Sequence, residues 1–259
     1  MDKNLIVISD YGTGDPAFTE VLLQLRTLIP NVFIHPHSTP PFSTINTGFW
    51  IYQVALTQNI KNTYIYSNTA PRKENKKAQK NNSGEKLMYA KLKNGFEIIA
   101  VNSGYVFSFV KPFIKEFRFV KVENEGSQFR SRDKYPAAVA RMIKKNKSFL
   151  GEKVDPKNIP DYPTNLVASI DGYGNIKTTT RLSEVKFKVG GNVIIKIYGK
   201  KHLAIYTDGI FHVKEGELAF APGSSGHNDK FMEIILRGGS AWDLCGKPEA
   251  EAKFSVEQV

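Results

Sequence analysis

Leu5-Ile6-Val7-Ile8-Ser9-Asp10-Tyr11-Gly12-Thr13-Gly14-Asp15-Pro16 is the stretch on which the reading of the fold turns. Four consecutive aliphatic residues make a short strand buried on both faces, as in a parallel sheet covered by helices. Turn residues follow, and then Phe18, Val21, Leu22, Leu25, Leu28 and Ile29 recur at helical spacing up to Pro30. Asp15 fits the helix cap and Pro16 the first helical position. Strand, turn and helix in this order place Asp10 just beyond the strand's carboxyl end, where α/β sheets present ligand-binding groups.

A second stretch repeats the arrangement far downstream: Leu166-Val167-Ala168-Ser169-Ile170 leads into Asp171-Gly172-Tyr173-Gly174-Asn175. Two carboxylates at two strand ends suggest a polar small molecule held between two structural units. Around the first stretch the pattern alternates. Val32–Ile34 and Thr63–Tyr66 read as strands, Asn46–Gln58 as a helix, and Lys86–Leu92 with Phe96–Val101 as paired strands. Tyr105–Phe117 and Pro136–Lys144 are helical candidates. This predicts an α/β domain over 1–150, with a mostly parallel sheet flanked by helices. Residues 151–163 carry three prolines and little periodicity and read as a linker. Residues 164–259 offer short strands between turns, including Val185–Val189 and Phe231–Leu236, and predict a small all-β barrel.

The 259 residues are 41% hydrophobic and 24% charged, ordinary values for a globular chain. No run reaches eighteen uncharged apolar residues, and the start has no basic segment leading into an apolar core, so the expectation is a cytoplasmic protein without a membrane span. Cys245, the single cysteine, excludes an internal disulfide and a Cys-based zinc site. His35 and His37 form an i, i+2 pair with no third ligand in view. The net charge of +11 raises nucleic acid as a partner. Much of the excess, however, sits in the polar stretch Arg72–Lys86, with no zinc-finger or aromatic RNA-binding motif beside it, and this argues against that partner.

Five motifs in order, Ser9–Asp15, Ala100-Val101-Asn102-Ser103-Gly104, Phe129-Arg130-Ser131-Arg132-Asp133, Ile170–Thr178, and Phe231–Ile234 with Gly239-Ser240-Ala241, resemble those of the S-adenosylmethionine hydroxide adenosyltransferases, relatives of the fluorinase and chlorinase enzymes. The resemblance runs over nearly the whole length. It implies an N-terminal nucleoside-binding α/β domain, a C-terminal barrel, and a homotrimer with S-adenosylmethionine between one subunit's first domain and its neighbour's second. The implied reaction is displacement of methionine from the ribose 5′ carbon by hydroxide or halide, with no cofactor.

By the same resemblance, Asp10 would hold the ribose hydroxyls, Asp171 the methionine amino group and Ser224 the carboxylate. Asn175 would read adenine, Tyr173 and Phe42 would sandwich it, and Arg237 and Gly238 would complete the substrate-binding set. At the nucleophile the chain departs from the family, whose Asp, Arg and His become Asn68, a position near Asn75 with Arg72 as a displaced substitute, and Arg130. Asn and Arg are not bases near pH 7, although Arg130 can stabilise an anion. Ser131 stands where the fluorinase carries a halide-contacting serine. Three readings stay open: cleavage of S-adenosylmethionine to adenosine and methionine with Asn68, Arg130 and Ser131 around the water, or by halide; binding of S-adenosylmethionine or adenosine without turnover; and a basic nucleic-acid-binding or structural protein.

Overall fold

A computed structural model of the chain describes residues 2–57, 61–72, 77, 84–123 and 126–259. It divides into two compact units, Met1–Asp161 and Tyr162–Val259.

The first unit begins as its sequence dictates. Strand β1 (Lys3–Ser9) is followed by helix α1 (Pro16–Leu28), whose cap Asp15 accepts a hydrogen bond from the Ala17 N–H at 2.8 Å. Strand β2 (Val32–Ser38), helix α2 (Thr44–Thr57) and strand β3 (Thr63–Asn68) complete the alternation. Then come strands β4 (Leu87–Leu92), β5 (Glu97–Val101) and β6 (Ile114–Val120), helices α3 (Arg130–Asp133) and α4 (Tyr135–Ile143), and strand β7 (Leu150–Lys153).

The seven strands form one sheet in the order β2-β1-β3-β5-β4-β6-β7. Pairings β1/β2, β1/β3 and β3/β5 are parallel; β5/β4, β4/β6 and β6/β7 are antiparallel. The sheet is therefore mixed rather than mostly parallel, because β4 returns to β5 through a short turn and brings β6 and β7 in on its far side. On one face Leu5 and Val7 of β1, Tyr64 and Tyr66 of β3, and Ile99 and Val101 of β5 pack against Phe18, Val21 and Leu25 of α1 and Val139 and Met142 of α4. The period-2 alternation of the strands and the period-3.6 stripe of the helices meet in this layer.

Two expectations fail here for local reasons. The helix expected over Tyr105–Phe117 does not form: consecutive turns lead into a 3-10 turn at Lys111–Phe113, and β6 follows. Pro112 withholds an N–H and constrains its predecessor, while Ile114, Phe117 and Val120 are buried and β6 pairs with β4. Nor does the proline-rich stretch 151–163 behave as a free linker. Its first residues belong to β7, and Pro156–Asn158 is a 3-10 turn capped by the Asp155 carboxylate at 2.9 Å from the Lys157 N–H. Pro156 sits where no N–H is required, so proline content here marks a tied-down turn.

In the second unit strands β8 (Val167–Ile170), β9 (Ile176–Arg181), β10 (Asn192–Ile197), β11 (Lys200–Tyr206), β12 (Leu218–Pro222) and β13 (Phe231–Leu236) precede the short helix α5 (Ala241–Leu244) and strand β14 (Phe254–Gln258). Their order is β14-β10-β11-β12-β13-β9-β8, and the two outermost strands meet through a bridge between Leu166 and Lys253, so the sheet bends round onto itself. Val167, Ile176, Val193, Ile195, Phe220 and Ile234 fill its interior. Val185–Val189, expected as a strand, is unpaired; Phe187 still packs on this core, and the Lys188 N–H reaches the Gln258 side chain at 3.4 Å. Strand β14 has no counterpart among the strands expected from the sequence.

Candidate functional site

The parallel strands β1 and β3 end side by side, with Ser9 opposite Asn68. Asp10 leaves β1 at this point, and its backbone N–H donates to the Asn68 carbonyl at 3.4 Å. The Asp10 carboxylate is half-buried and accepts the Phe42 N–H at 3.1 Å. Phe42 holds φ at +64°, uncommon for a residue with a side chain, and its ring is exposed. Burial raises the Asp10 pKa above the ordinary carboxylate value; the Phe42 and Ala70 N–H groups and the Arg72 charge offset this only in part. The ionised carboxylate should lose its grip on a hydrogen-bond donor as pH falls through that raised pKa.

Polar side chains cluster at the end of β1. Ser9, buried, donates through Oγ to the Asn68 carbonyl at 3.3 Å, and Ser131, buried in α3, has its carbonyl capped by the Tyr66 hydroxyl at 3.1 Å. The side chains of Ser9, Asn68 and Ser131 gather around the Tyr11 hydroxyl. Arg130, at the first position of α3, lies against Gly84, where an added Cβ would come within 2.5 Å of a guanidinium nitrogen. The structure thus brings Asn68, Ser131 and Asp10 to one strand-end region, with Arg130 on the same short helix as Ser131. Asn75 lies outside the described residues, as does most of the basic stretch around it. Arg72 is described, and its N–H donates at 2.9 Å to the carboxylate of Glu85, a buried acid not singled out from the sequence.

In the second unit Asp171, Tyr173 and Asn175 share the turn between β8 and β9. The Asp171 carboxylate accepts the Tyr173 and Asn175 N–H groups and the Asn175 side-chain amide, each at 3.0 Å. Burial works to raise its pKa, but the Asn175 and Tyr173 hydrogen bonds and the Lys177 charge outweigh it and hold the carboxyl below its ordinary value. Asp171 therefore builds the turn that displays Tyr173, whose side chain is 84% exposed. Gly174 has φ +79°, and a Cβ there would fall 2.2 Å from Ser240 Oγ, so only glycine fits.

Lys177 joins this turn to the Ser224 loop. Its ammonium lies 2.7 Å from Glu233 and 3.5 Å from Asp171, and Ser225 donates to the same Glu233 oxygen at 3.3 Å. Ser224 is exposed. Arg237 is engaged elsewhere, with one guanidinium nitrogen on the Val213 carbonyl and its plane 5.5 Å from the Phe211 ring; Gly238 faces Glu215. The sequence reading missed Lys177 and Glu233, although a Lys and a Glu within otherwise apolar or small-residue strands were a signal that they pair.

The remaining candidates have local partners. His35 meets Asn4 at 2.9 Å, and the His37 ring lies 3.6 Å from that of Trp50. Among the described residues no three His, Cys, Asp or Glu side chains gather as a metal site, and no helix is long and apolar enough to cross a membrane. Cys245 is buried, which pushes its thiol up to about 11.

Among curated proteins the chain is similar to the (R)-S-adenosyl-L-methionine hydrolase of Methanocaldococcus jannaschii, 31% identical over 122 residues. The match spans 46% of this chain and 46% of that protein, under half of either. No family model matches. Among solved structures, an uncharacterized conserved protein from Thermotoga maritima superposes with a TM-score of 0.75 at 16% identity, over 98% of this chain and all of that one. A conserved hypothetical protein from Thermus thermophilus gives 0.69 at 17%, over 99% of this chain and all of that one. These two show that the two-domain, sheet-rich fold is shared. The curated relative supports the resemblance of the motifs to those of the S-adenosylmethionine hydroxide adenosyltransferases.

Proposed function

We propose that the protein cleaves S-adenosylmethionine at the ribose 5′ carbon with water, releasing adenosine and methionine. The observation that carries this reading is the half-buried Asp10 carboxylate at a strand end, in the same region as the polar side chains of Asn68 and Ser131. Asp10 keeps acceptor capacity beyond the Phe42 and Ala70 N–H groups for a ribose diol, and charge-assisted hydrogen bonds to it would fix the sugar. The name of the Methanocaldococcus relative points to the same substrate. In this reading the Tyr173–Asn175 turn, held together by the Asp171 carboxylate, meets adenine, and Ser224 meets the amino-acid end. A homotrimer in which neighbouring subunits share the ligand belongs to this proposal.

The reaction needs little help at the leaving group, because a sulfonium departs as a neutral thioether. A lone pair of the water forms the new C–O bond while the C–S bond breaks with its electrons passing to sulfur. The positive charge moves to the attacking oxygen and leaves as a proton. No base is needed before the bond forms, so Asn68 and Arg130 in place of a carboxylate and an imidazole are compatible with turnover. Holding the water in line and excluding other solvent supply the rate.

The replacement of the family's nucleophile residues also favours a second reading, ligand binding without turnover. Chromatography of the protein incubated with S-adenosylmethionine, with and without chloride, separates the two. Adenosine and methionine in equal amounts support cleavage; binding in a calorimeter without product supports the second. Arg130→Ala is expected to lower kcat about tenfold to a hundredfold while adenosine affinity changes little, if the guanidinium N–H groups help hold the water in line. An equal loss in both would make it a ground-state contact.

A further inference from the structure

Tyr11 follows Asp10, and its ring is fixed by edge-on contacts with Phe18 at 5.5 Å and Phe129 at 5.9 Å. Its hydroxyl is buried and makes no hydrogen bond of good geometry, although Ser9, Asn68 and Ser131 surround it. The neighbouring Tyr66 hydroxyl, by contrast, is bound to the Ser131 carbonyl. Leaving a buried hydroxyl unsatisfied destabilises the fold, and phenylalanine would fill the same space without that cost. Burial raises the Tyr11 pKa, so near neutrality the phenol is a neutral donor and acceptor.

We propose that Tyr11 is a further catalytic residue: its hydroxyl, with the side chains of Asn68 and Ser131, holds the attacking water in line with the C5′–S bond. The inference rests on the cleavage reading above. Three neutral groups make a cradle suited to a neutral nucleophile: they accept from and donate to water without removing its proton. The water oxygen forms its bond to C5′, methionine leaves with the electrons of the C–S bond, and the proton passes to solvent from the oxonium so formed. Phe18 and Phe129 matter because they deny the phenol any other direction.

Tyr11→Phe removes the hydroxyl and keeps the ring. Adenosine release is expected to fall about tenfold to a hundredfold in kcat, the scale of a misplaced reactant. Adenosine affinity should be unchanged and the melting temperature unchanged or raised. Tyr66→Phe supplies the comparison: loss of a satisfied hydroxyl should lower the melting temperature. Unchanged kcat in an active protein carrying Tyr11→Phe overturns the role of Tyr11 and leaves the cleavage reading standing. Loss of stability in step with kcat would also overturn it, in favour of a structural hydroxyl. A wild-type protein that binds adenosine but yields no product overturns both.

Discussion

Asp10→Ala is expected to weaken adenosine binding about a hundredfold or more, and Asp10→Asn to weaken it with no loss of thermal stability at neutral pH. Hydrogen bonds to a charged acceptor contribute about 1.5–3 kcal/mol each, and a ribose diol offers two. The stability half of the expectation follows from the raised pKa. A carboxyl whose folded pKa lies above its unfolded value contributes stability that is complete below the unfolded pKa and is lost as pH rises through the folded one. At pH 7 Asp10 is ionised at a cost to the fold, and an uncharged amide that still accepts the Phe42 N–H relieves that cost. Calorimetric titration with adenosine and a thermal melt of the same sample test both halves; unchanged affinity would remove Asp10 from the ribose.

Lys177→Met should be the most damaging single change to the second unit. Lys177 and Glu233 face each other across β9 and β13, with Glu233 only 3% exposed. Removing the ammonium strands a buried carboxylate, which costs about 3–5 kcal/mol. For a unit of this size that corresponds to a fall of about 15 °C or more in melting temperature. The double variant Lys177→Met with Glu233→Gln should recover much of the loss, because the uncompensated charge is gone. A single variant that melts with the wild type would show the pair to be solvated, and no recovery in the double variant would place the damage in packing.

The elements legible in the sequence were those set by local chemistry. The Leu5–Ile8 run, the Asp15 cap and Pro16 dictate β1, turn and α1 with no reference to the rest of the chain. Where tertiary pairing decides, the sequence misleads: β6 carries enough apolar residues at helical spacing to pass for a helix, and only its ladder to β4 makes it a strand. β14 is short, and its pairing partner β10 lies far back along the chain. The site divides in the same way. Asp10 was visible because a strand end announces it. Tyr11, Glu85 and Lys177 were not, since their meaning lies in neighbours brought up by distant strands. Asp171 was visible as a carboxylate but not as the residue that holds its own turn together.

The Leu166–Lys253 bridge has a consequence for how the chain behaves in a crowded solution. An exposed strand edge is a template on which another molecule can add its own strand, the first step toward fibrous aggregates. In the second unit β8 and β14 spend part of those edges on each other. The first sheet protects its outer strand β2 differently, with Pro36 breaking the row of N–H donors and ring-bearing neighbours along it. Partial unfolding around residue 166 would therefore uncover two sticky edges at once, and the propensity to aggregate on mild heating should follow the breathing of that short bridge more closely than the melting of either core.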